Sequence, residues 1–96
     1  MAKILFLSSE LFDITSGTLQ LEVQSNILSE ILGELLRRFP LLENRFFSIK
    51  DGERKLKSTL LIFHNNDLIP AGQVFSYNKN INLDDEIKLL TPFIGG

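Results

Sequence analysis

The chain contains no cysteine. That excludes disulfide staples, thiolate metal sites, a persulfide relay and a cysteine nucleophile within it. It has a single histidine, His64, with no serine or cysteine nucleophile beside it, so His64 reads as a strand-end residue and not a catalytic base. Long apolar runs are missing as well. Near the N-terminus Ile4-Leu5-Phe6-Leu7 is the whole of it, far too short for a signal-peptide core or for a membrane span of about 20 residues. Nor does one sign of charge dominate: the net charge is −2, and no stripe of Lys and Arg alternates with aromatics to meet a phosphate backbone. The dense basic group Arg54, Lys55 and Lys57 has Asp51 and Glu53 beside it and reads as a solvated turn. No glycine loop has the spacing of a phosphate cradle. Asp84-Asp85-Glu86 lacks the oxygen-ligand spacing of a calcium loop and reads as a turn beside a strand. These absences predict a cytoplasmic protein with no metal, no nucleic-acid partner and no membrane partner.

What is present is enough for one domain. Ninety-six residues bury one modest core, and the mix of apolar and charged residues is that of an ordinary globular protein. Lys3 to Leu7 predicts a strand, and its unbroken apolar run predicts a central strand buried on both faces. Leu11 to Thr18 is ambiguous, closing in the turn chemistry of Thr15-Ser16-Gly17-Thr18. Leu19-Gln20-Leu21-Glu22-Val23 alternates strictly and predicts a strand with one wet face, forming an N-terminal hairpin with the first.

Ser25 or Asn26 then stands where a helix cap belongs. Leu28, Ile31, Leu32, Leu35 and Phe39 follow at helical spacing until Pro40 stops the helix. Glu34 and Arg38 form an attractive pair one turn apart, and Gly33 suggests close packing on a sheet. Leu41 to Lys57 reads as connection, with Leu42, Phe46, Phe47 and Ile49 dipping into the core and Asp51-Gly52 turning. Leu60-Leu61-Ile62-Phe63 is another continuous strand, closed by His64-Asn65-Asn66-Asp67. Leu68 to Gly72 is briefly extended, Gln73 to Asn80 is a long loop, and Ile81 to Glu86 leads into a last strand, Ile87-Lys88-Leu89-Leu90.

One helix on one face of a mixed sheet is an α+β arrangement. If the crossover through the helix is right-handed and skips a place, the last strand fills the gap beside the first. That layout is the β-grasp, or ubiquitin-like, fold. It predicts a single domain over residues 1–96 with a flexible tail, 92–96. Pro92 has no N–H to donate and stops the ladder. From there Pro92-Phe93-Ile94-Gly95-Gly96 spans about 17 Å when extended, enough to thread a narrow channel.

The closing stretch, Leu83-Asp84-Asp85-Glu86-Ile87-Lys88-Leu89-Leu90-Thr91-Pro92-Phe93-Ile94-Gly95-Gly96, resembles the end of the small β-grasp sulfur carriers. That group includes the small subunit of molybdopterin synthase, the thiamine-pathway carrier, and carriers of cysteine synthesis and tRNA thiolation. In that family an acidic turn, a strand, Pro-Pro and a final Gly-Gly follow in order; here Asp84-Asp85-Glu86, Ile87 to Leu90, Pro92 and Gly95-Gly96 stand in those places. Ile62 to Ile69 is similar to their strand-then-Asn segment, and Phe39-Pro40 to their helix exit. Asp84 replaces the usual Gly, Thr91 the first Pro, and Ile94 a smaller residue; the loop from Pro70 to Asn80 is longer than in the shortest members.

The resemblance implies a carrier and not an enzyme. Gly96 would be the reacting residue, its carboxylate adenylated by a ubiquitin-activating-like enzyme that uses ATP, then converted to a thiocarboxylate that donates sulfur. Gly95 and Gly96 would leave the carbonyl unobstructed. Pro92, Phe93, Ile94 and Gly95 would be the partner-binding residues that seat the tail. The acceptor implied first is the large subunit of molybdopterin synthase, with thiamine, cysteine or tRNA thiolation as other routes. No cofactor would be bound by the chain itself. Two other functions fit the same sequence: a ubiquitin-like modifier joined to lysines through Gly96, and a plain β-grasp interaction domain.

Overall fold

Strands from the two ends of the sequence meet at the centre of the sheet. The computed structural model describes residues 2–18 and 20–91. In it β1 (Ala2–Phe6) pairs antiparallel with β2 (Gln20–Val23) and parallel with β7 (Glu86–Leu90). On the far side of β7 lies β5 (Leu61–His64), antiparallel to it, followed by β6 (Asp67–Ile69) at the edge. The order is β2-β1-β7-β5-β6. The predicted gap beside the first strand is filled by the last, and the fold is the β-grasp. The predicted tail 92–96 lies outside the described residues.

Helix α2 (Leu28–Arg38) presents the predicted stripe: Leu28, Ile31, Leu32 and Leu35 are all buried. They share one cluster with Ile4, Phe6, Ile62, Ile87 and Leu89, the inward residues of β1, β5 and β7. Each fully buried leucine or isoleucine contributes about 1.5–3 kcal/mol by leaving water. Arg37 and Arg38 lie in the last turn, where the helix dipole favours cations, and Arg38 reaches Glu34 at 3.6 Å. Phe39 follows as the cap, and Pro40 opens a tight helical turn, Pro40–Leu42, as the preset φ of proline allows.

Several local expectations are corrected. The first strand is not buried on both faces: Ala2, Ile4 and Phe6 are buried, Leu5 is half-buried and Lys3 exposed. The N-terminal hairpin is interrupted by a short helix, α1 (Ser9–Ile14), which six residues with only Leu11 buried are too few to announce by periodicity. Neither Ser25 nor Asn26 caps α2. Ile27 occupies the cap position; Ser25 Oγ accepts its N–H at 3.2 Å, and the Asn26 carbonyl is taken by the N–H of Ile81 at 3.0 Å. Gly33 does not touch the sheet: it is exposed, and a Cβ there would meet nothing within 4 Å.

The stretch after Pro40 holds more structure than connection. A single-turn helix α3 (Glu43–Phe46) leads to a hairpin of β3 (Phe47–Lys50) and β4 (Glu53–Leu56). Asp51-Gly52 forms its turn with both φ angles positive, 54° and 78°, the primed geometry that an Asp-Gly pair suits. Leu42, Phe46 and Phe47 are buried as expected, whereas Ile49 is 79% exposed because β3 and β4 pair only with each other. Arg54 ties this hairpin down: it grips Glu43 at 2.6 and 2.8 Å, and its guanidinium lies 3.6 Å from the Phe47 ring centre. Phe75, from the long loop, stacks on Phe47 with ring centres 6.0 Å apart.

An open position in a helix interior has a direct test. Gly33→Ala is expected to stabilise the protein by about 1 kcal/mol through helix propensity. Thermal unfolding should show this as a rise in Tm of about 4–8 °C; an unchanged or lower Tm would mean that Gly33 has a packing role after all.

Candidate functional site: the end of the last strand and the open sheet face

The sequence-predicted site residues Pro92, Phe93, Ile94, Gly95 and Gly96 lie outside the described residues. The structure fixes the point to which they are joined. Leu90 is the last residue of β7 in register with β5, facing Leu61. Thr91 lies one step beyond, yet only 9% of it is exposed. Its N–H donates to Ser8 Oγ at 3.3 Å, and the two hydroxyls meet at 2.8 Å. Its Oγ1–H donates to Glu10 Oε2 at 3.0 Å, while Glu10 Oε1 holds Arg45 Nε at 2.7 Å. The base of the predicted tail is thus tied to the start of α1 and to α3.

Beside this point the sheet shows its second face. Residues directly across a sheet share a face, so the register assigns Leu5, Gln20, Lys88, Phe63 and Leu68 to one outward row. Leu61 and Leu90 form the next row, toward Thr91. The buried core cluster contains none of these side chains. Leu5, Leu61, Phe63 and Leu90 are half-buried, Leu68 is 53% exposed, and Leu7, just past β1, is 52% exposed. Apolar side chains therefore surround Lys88 on an open face next to the departing chain. At the other end of the same face Lys3, Glu22 and Glu86 make it polar. Contiguous apolar surface with a polar border is the form of a protein-docking site.

The sequence carried a signal for this face that pointed to the wrong cover. Unbroken runs such as Ile4 to Leu7 and Leu60 to Phe63 demand two apolar faces. Alternate members of both runs do reach the core, but the other members face outward in the isolated chain. Ser8, Glu10 and Arg45 gave no sequence signal, since only the fold brings them to residue 91.

His64 sits at the far end of β5, and the structure makes it a fastener. Its Nε2 lies 2.7 Å from Asp85 Oδ2, and its Nδ1 meets the Tyr77 hydroxyl. Both ring nitrogens are thus used. Asp85 also accepts from Asn65 Nδ2 at 3.1 Å and from the N–H of Asn82 at 2.8 Å. Asn65, at φ 56°, exchanges further bonds with Glu86: its N–H donates to the Glu86 carbonyl, and its Oδ1 accepts the Glu86 N–H. The acidic turn is therefore an anchor for the β5–β6 turn and the long loop.

The hydrogen bond from His64, then those from Asn82 and Asn65, hold the Asp85 carboxyl down from 3.8 to about 2. Burial, reinforced by the charges of Asp67 and Asp85, pushes the Tyr77 phenol up, which disfavours it as a nucleophile near neutral pH. Among the described residues no group of three or more His, Asp or Glu side chains is placed to hold a metal ion, and no helix is long and apolar enough to cross a membrane.

No protein-family model and no curated protein sequence matches the chain. Solved structures do. The small archaeal modifier protein 1 (SAMP1) of Methanosarcina acetivorans aligns with a TM-score of 0.76 and 22% identity over 99% of this chain and 95% of that one. SAMP1 of Haloferax volcanii aligns with a TM-score of 0.69 and 23% identity over 99% and 98%. A chain of the BexX/CysO complex of Amycolatopsis orientalis aligns with a TM-score of 0.72 and 16% identity over 100% of both. The β-grasp fold is thus shared.

The low Asp85 value sets an acid limit. A folded-state value below the unfolded one gives stability that is complete above about pH 5 and is lost as the pH falls toward 2. Asp85→Asn is expected to lower stability at pH 7 and to flatten the decline between pH 4 and pH 2. Urea unfolding across that range reads the slope. An unchanged slope in the variant would exclude Asp85 as the group responsible.

Proposed function

We propose that the chain is a β-grasp carrier protein that works through the carboxylate of Gly96 and docks on its partner through the open sheet face. The observation that carries this reading is the apolar outward surface of Leu5, Leu61, Phe63, Leu68 and Leu90, lying beside the strand that leads into residues 92–96. A monomer has no internal use for such a face. A partner that must hold the tail and act on its end does. The fold shared over full length with the modifier SAMP1 and with a chain of the BexX/CysO complex supports the same reading.

The chemistry follows from a poor electrophile. A carboxylate resists nucleophiles, so the partner must first activate it. An oxygen of the Gly96 carboxylate attacks the α-phosphorus of ATP, and pyrophosphate leaves. A hydrosulfide ion then attacks the carbonyl carbon of the acyl-adenylate, AMP leaves with the C–O bonding pair, and loss of the S–H proton gives the thiocarboxylate. This chain supplies no catalytic group to these steps. Its part is to present the end: Gly95 and Gly96 have no Cβ to obstruct the carbonyl. Pro92, Phe93 and Ile94 seat the tail in the partner's channel.

The acceptor we propose is a molybdopterin synthase large subunit, on the order of acidic turn, strand, proline and diglycine in residues 83–96. The likeness to SAMP1 favours a second reading, conjugation of Gly96 to lysines as a protein modifier. Intact-mass spectrometry of the chain from its own cells separates the two. Carrier function yields a thiocarboxylate on Gly96, and modifier function yields higher-mass conjugates. Deletion of Gly95 and Gly96 is expected to abolish both products with little change in Tm, because among the described residues the last ladder pair is Leu90 with Leu61. If the deletion left all thiolation products and conjugates unchanged, neither reading would stand.

The docking face makes a separate forecast. Phe63→Asp is expected to weaken association with the activating enzyme at least tenfold, about 1.4 kcal/mol. Phe63 lies outside the core, so the loss in thermal unfolding should be small beside that. Equal affinity in a pull-down titration would place the docking surface elsewhere.

A further inference from the structure

Thr91 closes a chain of hydrogen bonds in which every proton has one place to go. Its N–H points at Ser8 Oγ at 3.3 Å, and its own hydroxyl lies 3.0 Å from Glu10 Oε2. A carboxylate only accepts, so the Thr91 O–H donates to Glu10. That leaves Thr91 Oγ1 as the acceptor of the 2.8 Å bond from the Ser8 O–H. Arg45 Nε completes the chain, donating to Glu10 Oε1 at 2.7 Å. Ser8 and Thr91 are thus paired twice, once through the backbone and once through the hydroxyls. The contacts join residues 83 and 81 positions apart in sequence.

Their placement argues against a role in holding the sheet together. The ladder of β7 has already ended: Leu90 pairs with Leu61, and on the other edge the last backbone bond runs from the Leu7 N–H to the Leu89 carbonyl. Thr91 is held by side chains after the strand has stopped. Glu10 and Arg45 remain nearly half exposed, with side-chain exposures of 44% and 47%. An exposed ion pair of this kind adds little to stability. What it does constrain is the direction in which the backbone leaves residue 91. A strand end without such bonds frays over a wide cone; here three bonds on one residue restrict it.

We propose that Ser8, Glu10 and Thr91 form a tail-aiming clamp, with Arg45 orienting Glu10, and that Thr91 is a positioning residue for the reaction at Gly96. This rests on the carrier reading above. The clamp fixes Thr91 beside the apolar sheet face, so that docking of that face presents the chain beyond residue 91 from one place. Entropy lost in finding that place is lost on folding and not on binding, which is the advantage of preorganisation. Hydroxyl and carboxylate are both needed. Thr91→Val keeps the branched shape and the N–H but removes the O–H, and Glu10→Gln keeps the length but removes the charge that holds Arg45.

The test uses the full chain, isotope-labelled, with wild type, Thr91→Val, Glu10→Gln and Thr91→Ser compared. Heteronuclear NOE values for the amides of Phe93 and Ile94 report order at the tail base. Intact mass reports the thiocarboxylated fraction of each variant made in its own cells. Thr91→Val and Glu10→Gln are expected to lower both NOE values and to cut the thiocarboxylated fraction about fivefold, with Tm changed by less than about 8 °C. Thr91→Ser should restore both readouts, which a role in packing alone would not do. NOE values and thiocarboxylated fractions equal to wild type in Thr91→Val would overturn the clamp. Complete absence of thiocarboxylate from the wild type as well would sink the carrier reading, and the NOE comparison would still decide for or against the clamp.

Discussion

The parallel pairing of β1 with β7 is the constraint on which the rest depends. It joins Lys3 to Glu86 and Phe6 to Leu89, closing a loop of about eighty residues whose entropy must be offset by contacts made at the centre of the sheet. Ile4 facing Ile87, both fully buried, supplies the middle of that contact. Because β7 lies between β1 and β5, its outer end, residue 91, emerges amid the sheet and not at an edge. Three things then fall close to it: the apolar outward rows, the start of α1, and Arg45 of α3. Apart from Leu90 and Lys88 of β7 itself, the residues that make them up are far from residue 91 in sequence.

Two polar networks hold opposite ends of β7. At its start, the acidic turn binds His64 and Asn65 through Asp85, so the β5–β6 turn, the long loop and the entry to β7 form one unit. At its end, Ser8 and Glu10 bind Thr91. The first is half-sheltered and includes a carboxyl held near 2, the mark of a carboxylate surrounded by donors. The second is more exposed and lies past the ladder, so it governs direction more than cohesion. Between them, the sheet turns one face to α2 and the other outward.

Legibility in the sequence followed the range of the interactions. The stripe of α2, its Glu34–Arg38 pair and the stop at Pro40 depend on residues within a few positions of one another, and all were readable. So was the Asp51-Gly52 turn, although Ser48-Ile49-Lys50 and Glu53-Arg54-Lys55 have too few apolar residues to announce strands. Ile49 was misplaced because hydrophobicity alone does not say which way a two-stranded hairpin faces. Gly33 was misplaced for a similar reason: a glycine in a helix marks close packing only if another element lies over it. The helix α1 is too short for a period to be visible.

The expectation of a carrier rested on the resemblance of residues 83–96 to the β-grasp sulfur carriers. The order of elements and the one amphipathic helix determined the fold. They did so because backbone propensity and side-chain period are local properties, and few layer arrangements satisfy that order. The tertiary structure alone decided which half of each apolar run faces outward, what His64 and Asp85 hold, and which side chains meet Thr91. Those outcomes depend on strand register and on pairing between residues more than eighty positions apart. No spacing rule in a single sequence encodes them, since each partner is an ordinary serine, glutamate or leucine until the sheet closes.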